Sequence, residues 1–577
     1  MSRNDAVADR LAEMADRLEA MDVEYKPRAY RRAAENVRDY PDPIEVLAAE
    51  GEAAVGEIDG VGDAIAAKVV EYVETGEIAE LVELREDLPV EMAALTSVEG
   101  VGPKTVGTLY EALGIRTLDD LEAAAEDGEI QSVKGFGAKT EQNILDGIPF
   151  AREAHDRELL GDARPYGEQI RDYLRAQDAV ERCDLAGSIR RWKATIGDVD
   201  VLVGSTDPDP VVAAFTEWEG VESVIESGET KASVRAGDVR VDLRVVVPEE
   251  FGAALQYFTG SRDHNVAVRN RAIEREMKVN EYGVFDVAGV EDDDQRAGER
   301  LAGREESEVY GTLDLPLIAP ELREGRGEID AAAAGDLPDL LDEDDVRGDL
   351  HLHTEWSDGN NTIAEMIAGA EQRGYDYLAI TDHATGPGMV GGVGLDDETL
   401  LEQVDAVREA AEDTDLTVFA GVEANVDSDG SLSVGEQALD ALDLVVASPH
   451  ADLDGDGTDR LVAAAEHPAV DVIGHPTGRY LNRRPGLTVD FSRLAAVAAE
   501  TDTALEVNSN PARLDMDGQA VRAAVEAGAP VAINTDAHTP ERYDLIRYGV
   551  HTARRGWAEP ADVLNTWDAA SVREFVE

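Results

Sequence analysis

Three aspartates open the chemical reading of this 577-residue sequence. Asp198 and Asp200 stand one residue apart at the end of Gly187-Ser-Ile-Arg-Arg-Trp-Lys-Ala-Thr-Ile-Gly-Asp-Val-Asp200. Alternate side chains of a strand share a face, so both carboxylates project to one side. Like charges so close repel unless a cation sits between them, and all-oxygen ligands suit Mg²⁺. Just upstream, the Gly187-Ser188 turn and the Arg190-Arg191 pair are residue types that bind phosphate. Asp242, within Val239-Arg-Val-Asp-Leu-Arg244, supplies a third carboxylate on an alternating segment. Such a set holds two divalent ions for in-line phosphoryl transfer.

A second constellation follows residue 345. His351 and His353 share a strand face by the same alternation, and Asp358 follows in a turn. His383, Glu423, His450, His475, Asp536 and His538 then each come just after a short apolar run, at 377–380, 416–420, 444–447, 470–473 and 530–533. Imidazoles with carboxylates suit Zn²⁺, Mn²⁺ or Fe²⁺. Six histidines, two aspartates and one glutamate are too many for one ion. A multinuclear centre with Glu423 as a bridge follows. Ala-rich helical stretches separate the apolar runs, which describes a β/α barrel with its site on one face. The spacing suits seven strands better than eight. Arg479, Arg484 and Arg513 lie in the neighbouring loops and are candidates to hold a nucleic-acid strand.

The elements in front of these sites repeat. Ile58-Asp-Gly-Val-Gly62, Val98-Glu-Gly-Val-Gly102 and Val133-Lys-Gly-Phe-Gly137 each follow one helical stretch and open another. The paired glycines, Gly60 and Gly62, Gly100 and Gly102, Gly135 and Gly137, allow a tight reversal that leaves backbone N–H groups free at a helix start. Such a turn holds a phosphate without reading bases. It resembles the helix-hairpin-helix motif of DNA-binding proteins.

Composition narrows the setting. There are 52 basic and 123 acidic residues, for a net charge of −71, and only eight of the basic residues are lysine. The excess is spread along the chain, which fits adaptation to a salt-rich cytoplasm. At molar salt the Debye length is about 3 Å, so contact with DNA rests on local cations, not on long-range attraction. A single cysteine, Cys183, excludes an internal disulfide and a multi-cysteine zinc site. The first twenty residues are charged and helical in pattern, unlike a signal peptide. No apolar run reaches the roughly 18 residues a membrane span needs. A cytoplasmic, monomeric protein is expected.

Gly-Ser-x-Arg-Arg, Asp-x-Asp, Arg-x-Asp-x-Arg and Gln256-Tyr-Phe-Thr-Gly-Ser261 occur together and in order. In this combination the chain resembles the family X DNA polymerases. Carried over by position, the resemblance makes Asp198, Asp200 and Asp242 the catalytic carboxylates, which would hold Mg²⁺ or Mn²⁺. Gly187, Ser188 and Arg191 would cradle the incoming triphosphate, and Tyr257, Phe258 and Gly260 would line the sugar. Asn265 would meet the minor-groove edge of the base and Arg269 would lie near the template. Lys68, with Lys26 and Tyr30 nearby in sequence, resembles the Schiff-base lysine of the family's lyase domain, although the basic residues of its phosphate pocket are missing.

The nine ligands after residue 345 resemble those of the polymerase and histidinol phosphatase (PHP) domain, a trinuclear phosphoesterase, and all nine are present. The joined layout is that of bacterial and archaeal family X polymerases. It implies a lyase-like helical unit at 1–85, fingers with two hairpins at 86–150 and a nucleotidyltransferase palm at 151–250. A thumb at 251–318, a Pro-rich acidic linker at 319–345 and a (β/α)7-like PHP domain at 346–577 complete it. The implied substrates are gapped or nicked DNA and dNTPs. Implied activities are gap filling and metal-dependent 3′–5′ exonuclease, abasic-site or 3′-end cleavage. A small-molecule phosphatase on a DNA-binding scaffold and a non-catalytic DNA-end adaptor are the alternatives.

Overall fold

The computed structural model describes residues 3–577 apart from 24, 39, 41–42, 59, 99, 156, 238, 291–293 and 387–392. Helices occupy the N-terminal part, from Arg3–Ala20 to Ala138–His155. The three Gly-x-Gly turns are built alike. Val61, Val101 and Phe136 donate backbone hydrogen bonds of 3.0, 3.0 and 3.1 Å to the carbonyls of Ile58, Val98 and Val133. Gly60, Gly100 and Gly135 take φ values of 72°, 77° and 102°, where a side chain would be strained. Gly62 and Gly102 then cap the helices Asp63–Thr75 and Pro103–Leu113.

Next comes a five-stranded sheet in the order Arg182–Leu185, Val199–Gly204, Val239–Val246, Lys231–Ala236, Ser223–Ser227. Only the pairing of Val199–Gly204 with Val239–Val246 is parallel, and it sets Asp200 directly beside Asp242. Strict alternation along Val239–Val246 sends Val239, Val241, Leu243 and Val245 into the core. Helices Leu160–Arg175 and Pro208–Thr216 pack against them, and each fully buried aliphatic side chain contributes about 1.5–3 kcal/mol. Helices Phe251–Thr259 and Arg262–Ile273 and a three-stranded antiparallel sheet follow.

The C-terminal strands form one parallel sheet in chain order: Gly348–Asp349, Tyr377–Ile380, Thr417–Asn425, Leu444–Ser448, Val472–Ile473, Ala504–Asn508 and Val531–Asn534. A parallel bridge between Leu352 and Ala537 brings the first and last together at one mouth. This is the seven-stranded β/α barrel expected. Its strand Ala504–Asn508 has no ligand of the expected set and escaped the sequence reading.

The segment 319–345 is packed at several points. Glu321, Arg323 and Glu328 are 3%, 0% and 0% exposed. Glu328 accepts a 2.6 Å hydrogen bond at the buried ring of His264, and Arg323 pairs with Glu306 at 2.5 Å. Its polar composition read as a linker, and each of these charges has an ionic partner within the fold. The barrel also packs directly onto the units before it. Leu514 and Tyr548 enter the hydrophobic core of the five-stranded sheet, and Trp557 that of the following subdomain.

Candidate active sites: two carboxylate and histidine centres

At the first centre, backbone geometry brings the cradle and the carboxylates together. Ala186 N–H donates to the Asp200 carbonyl at 2.8 Å, so the Gly187 turn lies over the start of Val199–Gly204. Gly187 has φ 63°, and a Cβ there would sit 2.1 Å from an Asp200 carboxylate oxygen. No other residue fits this approach. Burial, reinforced by Asp198 and Asp242, pushes the Asp200 carboxyl up to about 7. That frustrated charge is what a divalent cation would relieve. The three carboxylates are not drawn into one tight group, and Arg240 holds Asp242 at 2.9 Å.

The raised carboxyl has a thermal consequence. Its ordinary value is 3.8, so between about 4 and 7 the folded, metal-free protein holds a proton that the unfolded chain releases. Stability therefore falls as pH rises through this window. Asp200→Asn is expected to stabilise the protein in chelator by on the order of 4 kcal/mol at pH 8 and by little near pH 4. Thermal unfolding followed at both pH values checks it; an equal gain at the two would sink the argument.

Arg191 is buried beside this cradle, its Nε 3.0 Å from Glu324 and its Nη1 2.6 Å from the Thr259 carbonyl. Ser188 is half-buried. Tyr257 and Phe258 meet edge to face with centroids 5.2 Å apart, and Arg244 lies over the Phe258 ring at 4.3 Å. Asn265 turns inward: its Nδ2 donates to the carbonyls of Tyr257 and Gly260 at 2.7 and 3.1 Å. Its amide thus closes the helix end that carries the aromatic pair. Arg269 is exposed.

Lys68 sits 2.9 Å from Glu80, which also lies 3.9 Å from Lys26. Burial disfavours its charge, yet Glu80 and Tyr30 outweigh this and raise the ammonium above its ordinary value. A nucleophilic amine needs the opposite shift.

The second centre gathers all nine residues at the mouth of the barrel. Glu423, fully buried, lies at 3.3 Å from His351, 3.7 Å from His353, 2.5 Å from His383, 3.3 Å from His450 and 2.9 Å from His475. His353 is 3.1 Å from Asp536, and Asp358 is 3.5 Å from His383 and 3.3 Å from His538. Three ligand groups result: His353, Asp358, His383 and His538; His351, His353 and Glu423; His383, Glu423 and His450. Burial would raise the Glu423 carboxyl, but His383, His450 and His351 hold it well below its usual range. The Nδ1 atoms of His353, His450 and His475 are buried without a hydrogen-bond partner among the described residues. Orphaned nitrogens around a shared carboxylate fit metal ions, which they would ligate as neutral imidazoles. His475 and Asp536 have φ values of 25° and 54°, strain of the kind stored at functional sites.

Residues 2–78 match the helix-hairpin-helix domain, 92–148 the SAM-like helix-hairpin-helix tandem, 254–324 the DNA polymerase beta thumb and 349–510 the PHP domain. The DNA polymerase/3′-5′ exonuclease PolX of Bacillus subtilis (strain 168) is 35% identical over 529 residues, covering 90% of each chain. The chain belongs to the PHP-containing family X DNA polymerases. Rattus norvegicus DNA polymerase lambda is 27% identical to this family X chain over 343 residues, 55% of it and 56% of the relative. A "Probable phosphatase" of Thermoanaerobacter sp. (strain X514) is 27% identical over 248 residues, 40% of this chain and 94% of the relative.

Several residues of this family X chain that position the ligands were not singled out in sequence. Glu506, on the unforeseen strand, accepts from His351 Nδ1 at 2.7 Å, from His475 N–H at 2.7 Å and from Asn534 at 3.0 Å. It fixes the tautomer that points His351 Nε2 at Glu423. Asn508 donates to Asp536 at 3.0 Å. Asp382 accepts from Thr354, Ser357 and Gln403 at 2.6–3.0 Å, and steadies the loop between His353 and Asp358. A fixed offset from an apolar run is the only signal that could have exposed Glu506 and Asn508. Glu506→Ala is expected to weaken metal binding about 10- to 100-fold, read by calorimetric titration of the chelator-stripped protein. Unchanged affinity would deny Glu506 this role. The guanidinium groups of Arg479 and Arg484 are engaged by backbone carbonyls, and Arg513 lies over Tyr480 at 4.4 Å. No helix among the described residues is long and apolar enough to cross a membrane.

Proposed function

We propose that this chain fills short gaps in DNA and trims 3′ ends, with one metal centre for each task. The observation that carries this reading is the presence of both ligand sets on one chain that is similar along 90% of its length to a polymerase/3′-5′ exonuclease. Asp198, Asp200 and Asp242 would hold Mg²⁺ or Mn²⁺, which supplies charge neutralisation at the attacking and leaving oxygens. Ser188 and Arg191 bind the triphosphate of a dNTP, and Tyr257 and Phe258 shape the sugar pocket. Asn265 meets the minor-groove edge of the base, and the exposed Arg269 lies near the template. The glycine turns at 60–62, 100–102 and 135–137 grip DNA phosphates with backbone N–H groups. These phosphates belong to gapped or nicked DNA.

In the barrel, His351, His353, Asp358, His383, Glu423, His450, His475, Asp536 and His538 would hold Mn²⁺, Zn²⁺ or Fe²⁺, which supply Lewis acidity for phosphoester hydrolysis. The chain's own part is to orient these ligands around the buried Glu423. The domain limits drawn from sequence are part of the proposal, with 319–345 as a packed joint. Lys68 enters it as a Glu80-paired cation, because its raised ammonium opposes Schiff-base chemistry.

Primer extension and 3′-end degradation on a one-nucleotide gap, at high KCl with Mg²⁺ and Mn²⁺ compared, test the reading. Absence of both activities would refute it. The similarity to a phosphatase over 94% of that relative's length favours a second reading of the barrel, a phosphomonoesterase. Hydrolysis of histidinol phosphate without degradation of DNA ends would decide for it.

A further inference from the structure

The loop that carries the triphosphate cradle is held from behind by the barrel. Helix Ile546–Arg555 of the C-terminal domain lies against residues 188–193, more than 350 residues away in sequence. Arg555 Nη1 donates to the Arg191 carbonyl, and also to Glu324 at 3.0 Å. The same Glu324 oxygen accepts from Arg191 Nε at 3.0 Å. All three side chains are buried, at 10–12% exposure. One turn earlier, the His551 ring stacks on Trp192 with centroids 3.6 Å apart and planes 8° apart. The Arg164 guanidinium lies 3.3 Å from the centre of the same ring, so the two groups must occupy opposite faces. Trp192 itself has φ 54°, a left-handed conformation that an indole does not adopt unaided. His551 is fastened in turn by Glu321 at 2.6 Å and Glu343 at 3.3 Å.

These contacts fix the backbone on both sides of Arg191 and the direction of its guanidinium. Two of its nitrogens are committed, Nε to Glu324 and Nη1 to the Thr259 carbonyl, and Nη2 makes no hydrogen bond among the described residues. We propose that Arg555 and His551 of the C-terminal domain are positioning residues for nucleotide binding in the palm: they brace Arg191 through Glu324 and Trp192. The barrel is thereby a structural part of the polymerase centre as well as the seat of its own. The inference rests on Arg191 as a triphosphate ligand.

The test is steady-state insertion of one dNTP by the full chain. Arg555→Ala is expected to raise the nucleotide KM about tenfold with kcat within about twofold, because ground-state orientation is what is lost. Arg555→Lys, which keeps one donor, should fall between. If Arg555 acts through Arg191, the double variant with Arg191→Ala has the KM of Arg191→Ala alone. Degradation of 3′ ends at the wild-type rate confirms that the barrel is folded. Should Arg555→Ala lose that activity, His551→Ala, which removes only the stacking face, carries the same KM expectation. A wild-type KM in these variants, or additive effects in the double variant, overturns the proposal. A wild-type KM in Arg191→Ala alone would instead refute the triphosphate role on which it stands.

Discussion

Asp200→Ala lowers nucleotide addition on a one-nucleotide gap by on the order of 10³-fold, while degradation of the primer 3′ end continues. The size follows from where the charge sits. Asp200 stands near the start of a parallel strand pair, directly beside Asp242, with its carboxyl pushed up to about 7 by burial and by Asp198 and Asp242. A neutral methyl there removes one ligand and most of the reason for a cation to bind. Substrate affinity through the hairpins should change little, so the loss falls on kcat. The second centre shares no side chain with the first. Equal loss of both activities in a folded variant would refute the assignment of two centres.

His353→Ala does the reverse. His353 belongs to two of the three ligand groups, and its ring stands 3.7 Å from Glu423 and 3.1 Å from Asp536. Its removal leaves Glu423 and Asp536 facing fewer imidazoles, so the expected result is loss of bound metal together with a fall of on the order of 10³-fold in 3′-end degradation. Gap filling persists. Metal content by elemental analysis is the decisive reading, because a variant that kept its metal yet lost activity would make His353 a substrate contact. If gap filling disappears as well, the barrel has failed to fold around its empty mouth.

How far the sequence could be read follows from the range of each interaction. The alternation of one strand was enough to single out Asp200, whereas Asp198, expected on the same strand, lies one residue before Val199–Gly204. The barrel ligands needed only an apolar run followed by a histidine or carboxylate, a rule that His475 and Asp536 obey as well as His383. The three hairpins were legible because one spacing recurs. Interactions across the chain were not. Asn265, expected to meet the base, also donates to the carbonyls of Tyr257 and Gly260, contacts that its place in the sequence does not announce. Glu506 was marked only by its offset along an apolar run, since its partners His351, His475 and Asn534 come from three other strand ends. The acidic stretch near 320–345 resembled a linker because composition records charge and not its pairing. Arg323 with Glu306, and Glu328 with His264, turn the same residues into a joint.

That joint governs how a DNA end travels. A loose tether would allow the barrel to swing toward a primer terminus lying in the palm. Arg554 and His551 both clasp Glu321, and Arg555 clasps Glu324, so the barrel keeps its station. A strand end passing between the two centres would then itself have to move. A mismatched or A·T-rich terminus, which frays readily, is therefore expected to be degraded faster than a well-stacked G·C one, a difference that parallel degradation assays on the two ends would read.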